Sequence, residues 1–217
     1  MACASGCQFC NRDATNNAPQ CRAVCPERDN QQCQRDGASK PSPSGLVFCV
    51  AHFNHLSEGW KSYMEHHPEK AAFLWGIVYD KIRKVPSVHD QWPEGYCNLT
   101  TIAVLHEIAM ARKPWKFTWK HGRYGKEIQR DGKIGKRHFW LFDHDAKLNV
   151  DLTAGQFPTL KTTVWVGPGP DQDLPYQVDP APETDPAVRG TLAESLLEYL
   201  AQSESQAFSD AHAITLH

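Results

Sequence analysis

Beyond residue 50 the sequence has almost no cysteine: of eight in the 217-residue chain, only Cys97 lies there. Long apolar runs are missing as well. The longest near a helix, AAFLWGIVY from Ala71 to Tyr79, is far too short to cross a bilayer, so no membrane association is expected. The first twenty residues are polar and cysteine-bearing, without the apolar core of a secretory signal. A cytoplasmic location follows as the expectation, where free thiols and metal thiolates persist and structural disulfides are rare. Excess charge is missing too. A net charge of −2 leaves no cationic surplus for a general nucleic-acid coat protein. There is no internal repeat.

What is present divides by composition. Residues 1–55 are rich in Cys, Asn, Gln and Pro, and such a segment needs a staple because it has little to bury. Residues 56–166 hold all seven tryptophans and read as the folded core. Residues 167–187 form a proline-rich stretch without periodicity, read as a loop. Residues 188–217 begin a terminal amphipathic helix, TLAESLLEYLA, with Leu192, Leu196, Leu197 and Leu200 on one side. Ten basic residues between Arg112 and Arg137 are opposed only by Glu127 and Asp131. The plain reading of that run is a solvated loop or hairpin face. The sharper one is a docking strip for an acidic partner or a nucleic acid.

Within the core, Tyr63 to Lys84 reads as one or two helices broken near His67-Pro68. Cys97 to Ala111 is the clearest helix, with Ile102, Leu105, Ile108 and Ala109 as its apolar stripe and Pro114 as its stop. RHFWLF and LNVDL read as two strands joined by the turn DHDAK, and TTVWV as a further strand. Helix followed by antiparallel strands is an α+β pattern.

Cys97 follows Gly95 and opens that helix. The positive end of the helix dipole favours thiolate there, and the first-turn N–H groups face where an oxyanion would develop. Gln91, six positions upstream, is within reach of the same oxyanion. The competing reading of Cys97 is a small buried hydrophobe. Two further residues favour the chemical one. His138 opens the RHFWLF strand and Asp151 lies in the next strand, near enough across a hairpin to hold the imidazole. Cys97 as nucleophile, His138 as base and Asp151 as orienting carboxylate make a thiol triad. His144 and Asp143 are a rival pair, placed in the turn, and His106 reads as a helix-face residue.

The strings WPEGYCNLTTIAVLHEIA, RHFWLF and VDLTAGQF resemble the core of the small YunG-like proteins, themselves similar to the papain and transglutaminase superfamily. The resemblance covers about residues 85 to 160. It implies a papain-like core, with a helix carrying the cysteine packed on an antiparallel sheet, and triad roles for Cys97, His138 and Asp151. Gln91 sits where papain-like enzymes carry their oxyanion glutamine.

In the front segment, Cys7-x-x-Cys10 and Cys49-x-x-His52 are two chelating pairs of the kind that complete a tetrahedral, structural zinc site, as in a treble clef. Cys21, Cys25 and Cys33, with Cys3, are the thiols for a second ion. An odd number of front cysteines weakens a disulfide framework. The functional expectation is a cysteine hydrolase or acyl transferase acting on a protein or peptide through a thioester. The alternative is a non-catalytic, zinc-stabilised module binding protein or nucleic acid.

Overall fold

Most of the large apolar side chains between Leu56 and Tyr199 pack on one another. The structure, a computed structural model, describes residues 56–82, 93, 95–128, 134–157, 160, 162, 164–168, 176–179 and 182–215, and the backbone of 24–25 and 31–32. The described elements are mixed α+β, with four helices, an antiparallel five-stranded sheet and a two-residue ladder between β1 (Val24–Cys25) and β2 (Gln31–Gln32).

Helices α1 (Glu58–His66) and α2 (Pro68–Gly76) break at His67, as the sequence predicts, and α2 widens into a further turn over Ile77–Lys81. Pro68 is at the first position of α2, where its missing N–H costs nothing. Ser57 caps α1 by accepting from Trp60 N, and its hydroxyl donates to the Val164 carbonyl at 2.9 Å. That bond ties the helix start to the approach of the last core strand. A Cβ at Gly59 would lie 1.8 Å from the Val166 carbonyl oxygen, so the close approach of α1 to that strand requires glycine.

Helix α3 (Cys97–Met110) carries the thiol at its first residue. Its buried face is Cys97, Leu99, Thr100, Thr101, Ala103, Val104 and Ile108. The expected stripe is therefore rotated: Ile108 is buried, Ile102 and Leu105 are half-buried, and Ala109 is exposed. The cause is that α3 packs against the sheet and the terminal helix together, so it has no single apolar seam. Arg112, at φ 49°, takes the left-handed position that ends a helix, two residues before Pro114.

The sheet order is β6-β5-β4-β3-β7, with β3 (Phe117–Ile128), β4 (Ile134–Asp143), β5 (Leu148–Asp151), β6 (Trp165–Gly167) and β7 (Tyr176–Val178). Strands β4, β5 and β6 fall on the three expected segments. Strand β3 does not: the basic run from Arg112 to Arg137 is largely strand, pairing with β4 from Phe117↔Asp143 to Ile128↔Ile134. Strand β7 lies inside the stretch read as a proline-rich loop and pairs with Gly122–Tyr124 of β3.

Helix α4 (Pro186–Thr215) starts earlier than its leucines suggest. Its buried seam is Val188, Leu192, Ser195 and Tyr199, whereas Leu197 is 68 % exposed. Spacing of four, three and four is the helical contact pattern, and of the expected leucine face it keeps Leu192 buried, with Leu196 and Leu200 half-buried beside it. Asn98 donates to Ser195 Oγ at 2.7 Å and Tyr199 donates to Glu107 Oε1 at 2.5 Å, fastening α4 to α3. Lys81 pairs with the other oxygen of Glu107 at 2.6 Å.

Candidate active site

Three of the four residues singled out for catalysis meet. The turn into α3 uses Gly95 in the left-handed region (φ 78°), and Tyr96, the residue before the helix, provides no side-chain cap. First-turn N–H groups lack internal acceptors in any helix, and the Tyr96 side chain takes none of them. Cys97 is a free thiol, 8 % exposed, in an apolar cluster with Phe139, Val188 and Leu192. Its side chain hydrogen-bonds to the ring of His138.

The β4–β5 register positions the other two. Its last pair is Leu141↔Val150, so continuing it sets Asp151 opposite Trp140 and diagonal to His138 on the same face. His138 Nε2 lies 2.7 Å from Asp151 Oδ2, and both side chains are almost wholly buried. The other carboxylate oxygen, Oδ1, accepts from the N–H of Thr153 at 2.9 Å and from its hydroxyl at 3.0 Å. Both oxygens are thus engaged and the carboxylate plane is held. Trp140 stacks on the His138 ring with centroids 5.8 Å apart, and Phe157 meets it edge-on at 4.8 Å. The imidazole is fixed on every side that these groups cover.

Burial alone would strip the His138 proton. The Asp151 charge and hydrogen bond, and then the Cys97 hydrogen bond and charge, overcome that and push the ring up to about 10. A second buried histidine goes the other way. His121, packed 4.6 Å from the Phe139 ring, is held below the ordinary range by burial. Its Nδ1 contacts the Asp179 carboxylate, but Asp179 is 40 % exposed and solvent screens it, while Arg137 and Arg123 add repulsion. The two neighbouring histidines are thus shifted in opposite directions.

Gln156, which the sequence reading passed over, joins the site from a 3-10 turn at Ala154–Gln156. Its Nε2 donates to the Thr153 carbonyl at 3.1 Å, which fixes which end of the amide is nitrogen, and the same atom lies 3.2 Å from His138 Nδ1. With His138 neutral it donates to Nδ1. With the ring charged, its hydrogens turn to Thr153 O and Oγ1. The signal in the sequence was the glutamine five residues after Asp151 in VDLTAGQF, unreadable without the turn that folds it back.

Other candidates separate from this cluster. Asp143 is buried on Lys70 (2.8 Å) and Tyr63 (2.7 Å), a fully satisfied structural network. His144 is exposed and bonds Thr118 Oγ1 at 2.9 Å, so the rival pair is broken up. His106 lies edge-on to Tyr199 along α3. Gln91 is outside the described residues, as are Cys3, Cys7, Cys10, Cys21, Cys33, Cys49 and His52, and only the backbone of Cys25 is described. Among the described residues no group of three or more His, Cys, Asp or Glu is placed to hold a metal, and no helix is long and apolar enough to cross a membrane. No family model, no curated protein and no solved structure matches the chain.

Proposed function

We propose that this protein is a cysteine hydrolase or acyl transferase with a papain-like core, acting on a protein or peptide through a Cys97 thioester. The observation that carries the reading is one buried imidazole held between the Asp151 carboxylate and the Cys97 thiol. A stable fold does not need a buried histidine kept charged in the middle of a strand, whereas nucleophilic thiol chemistry does.

The steps follow from the atoms. Asp151 holds Nε2, so Nδ1 faces the thiol. With the ring charged, the proton of Cys97 is already on Nδ1, and Sγ bonds to the substrate carbonyl carbon. N–H groups of the first α3 turn supply hydrogen bonds to the oxyanion. Collapse breaks the bond to the leaving amine, which takes the proton from Nδ1. Water, or a second amine, then attacks the thioester and gives its proton to Nδ1, and Cys97 leaves as the thiolate beside the recharged ring. Asp151 stays ionised throughout and steadies the charged ring.

One observation favours a non-catalytic module instead: Cys97 is only 8 % exposed, as a structural thiol would be. A small activated ester such as p-nitrophenyl acetate separates the two. Intact-mass analysis should find one acetyl group on Cys97, absent in Cys97→Ala and formed far more slowly in His138→Ala. Equal acetylation in the native protein and His138→Ala would remove the enzymatic reading. Structural zinc on the front segment is proposed from the cysteine spacing alone, and no catalytic step passes through it.

A further inference from the structure

Cys97 is only 8 % exposed, so a substrate carbonyl reaches it only after its surroundings part. In its apolar cluster stand Phe139 of β4 and, from the first turns of α4, Val188 and Leu192. Those turns follow β7 through Asp179 and a 3-10 turn at Pro182–Thr184, which packs on both β3 and α4. Asp185 then caps the helix by accepting from Ala187 N at 2.8 Å. Strand β7 is three residues long and stands at the sheet edge. His121 of β3 fastens its end. The His121 carbonyl accepts from Asp179 N at 3.0 Å, and its Nδ1 contacts the Asp179 carboxylate. The same ring rests on Phe139, with centroids 4.6 Å apart, so it also borders the Cys97 cluster.

That fastening suits a neutral ring and not a charged one. His121 is 3 % exposed, and its Nε2 has no hydrogen-bond partner among the described residues. With its proton on Nδ1, the neutral ring donates to Asp179 and leaves Nε2 a bare lone pair. A second proton puts a cationic N–H where no acceptor meets it. Arg123 follows two residues on along β3, and Arg137 pairs with it from β4, so both add like charge. The acid that faces the ring, Asp179, is 40 % exposed and screened by solvent. Glu183 of the 3-10 turn and Arg189 of α4 face the groove beneath α4, beside Trp119. Burial therefore wins and holds the ring below the ordinary range. For a lowered folded value, the loss of stability is absent above about pH 6.5 and sets in as pH falls through it. We propose that His121 and Asp179 form an acid-released latch: as pH falls, the charged ring leaves its pocket, β7 and the first turns of α4 loosen, and Cys97 becomes accessible. The proposal rests on Cys97 being the nucleophile and adds the regulation of that site. His138, pushed up to about 10, stays charged in mild acid, so acid changes access and not the base.

Two readouts on the full chain at pH 7.5 and 5.5 test the latch: hydrogen exchange over residues 182–192, and labelling of Cys97 by 4,4'-dithiodipyridine. The reference is His121→Leu, an apolar side chain of similar size that never charges. Native-to-variant ratios cancel the intrinsic pH dependence of exchange and of the thiol. Both ratios should rise several-fold from pH 7.5 to 5.5, within the roughly tenfold per pH unit that one proton allows. Asp179→Asn keeps an acceptor for Nδ1 but removes the charge that partly offsets burial. Its exchange should therefore rise more steeply with acid than that of the native protein, and this arm stands even where His121→Leu does not fold. Ratios equal at the two pH values, or an Asp179→Asn rise no steeper than the native one, overturn the latch. Exchange that rises without labelling overturns its hold on Cys97. Exchange needs no reactivity at Cys97, so it judges the latch separately from the acetylation that judges the nucleophile.

Discussion

At the scale of single residues, two buried histidines one strand apart are shifted in opposite directions, His121 down by burial and His138 up by Asp151 and Cys97 against its burial. Asp151 is 1 % exposed and its charge acts on His138 unscreened, while Asp179 is 40 % exposed and leaves His121 to burial. A raised folded value means that the stabilisation from the His138–Asp151 pair is complete below about pH 6.5, the ordinary histidine value. It is lost as pH rises to about 10. Urea denaturation at pH 6, 8 and 10 should show Asp151→Asn well below the native protein at pH 6 and nearly equal to it at pH 10. A constant gap would mean the pair is not charged. Gln156→Ala should leave the fold intact but shift the pH dependence of Cys97 acetylation, because its amide touches Nδ1, and Gln156→Asn should not restore it. Cys97→Ala should cost about 1 kcal/mol, the scale of one buried methyl-sized group. That is more than a cleft-facing thiol would suggest, since Cys97 is buried in one apolar cluster with Phe139, Val188 and Leu192. The triad was legible in residues because His138 and Asp151 flank a short turn, and a hairpin converts that spacing into contact. Gln156 was not legible, since it returns to the ring through a turn without periodicity.

At the scale of elements, polar contacts decide how helices sit on the sheet. Lys70 on α2 is buried against Asp143 at the end of β4, and Asp143 Oδ1 also accepts from the Asp145 and Ala146 N–H groups of the hairpin turn. Lys70→Ala leaves a buried carboxylate without its cation and should destabilise by about 3–5 kcal/mol in a denaturant titration. A loss below 1 kcal/mol would show that the network is dispensable. Helix α4 lies over the thiol and is fastened to α3 by Ser195 and Tyr199. Ser195→Ala with Tyr199→Phe should raise the iodoacetamide labelling rate of Cys97 several-fold without comparable change in global stability, and an unchanged rate would show that α4 does not limit access. The sequence was least legible here. Strand β3 hides in a basic run because Lys120 snorkels over Phe142 and Arg123 caps the Gly135 carbonyl, so charge at these positions does not mean solvent. The leucines of α4 mark its seam only in part, with Leu192 buried and Leu197 exposed, because Ser195 and Tyr199 enter the seam through hydrogen bonds that hydrophobicity does not register.

At the scale of the whole molecule, the residues from Leu56 onward make their own core, with Trp60, Leu74, Val104, Leu141 and Val150 packed together. Chelation of the zinc proposed for the front segment should therefore leave the main melting transition in place, and its disappearance would show that the core depends on the metal. The α+β class and the order helix, hairpin, strand were readable because each rests on a local period. Neither the edge strand β7 nor the groove beneath α4 was, since both arise from contacts between segments far apart in the chain. Everything said of function turns on whether His138 activates Cys97. The most direct measurement is the iodoacetamide alkylation rate of Cys97 at pH 6, where ordinary cysteine is almost wholly protonated. The account predicts that native Cys97 reacts faster than free cysteine despite its burial, and that His138→Ala removes the advantage. Slow labelling, unchanged in His138→Ala, would contradict it.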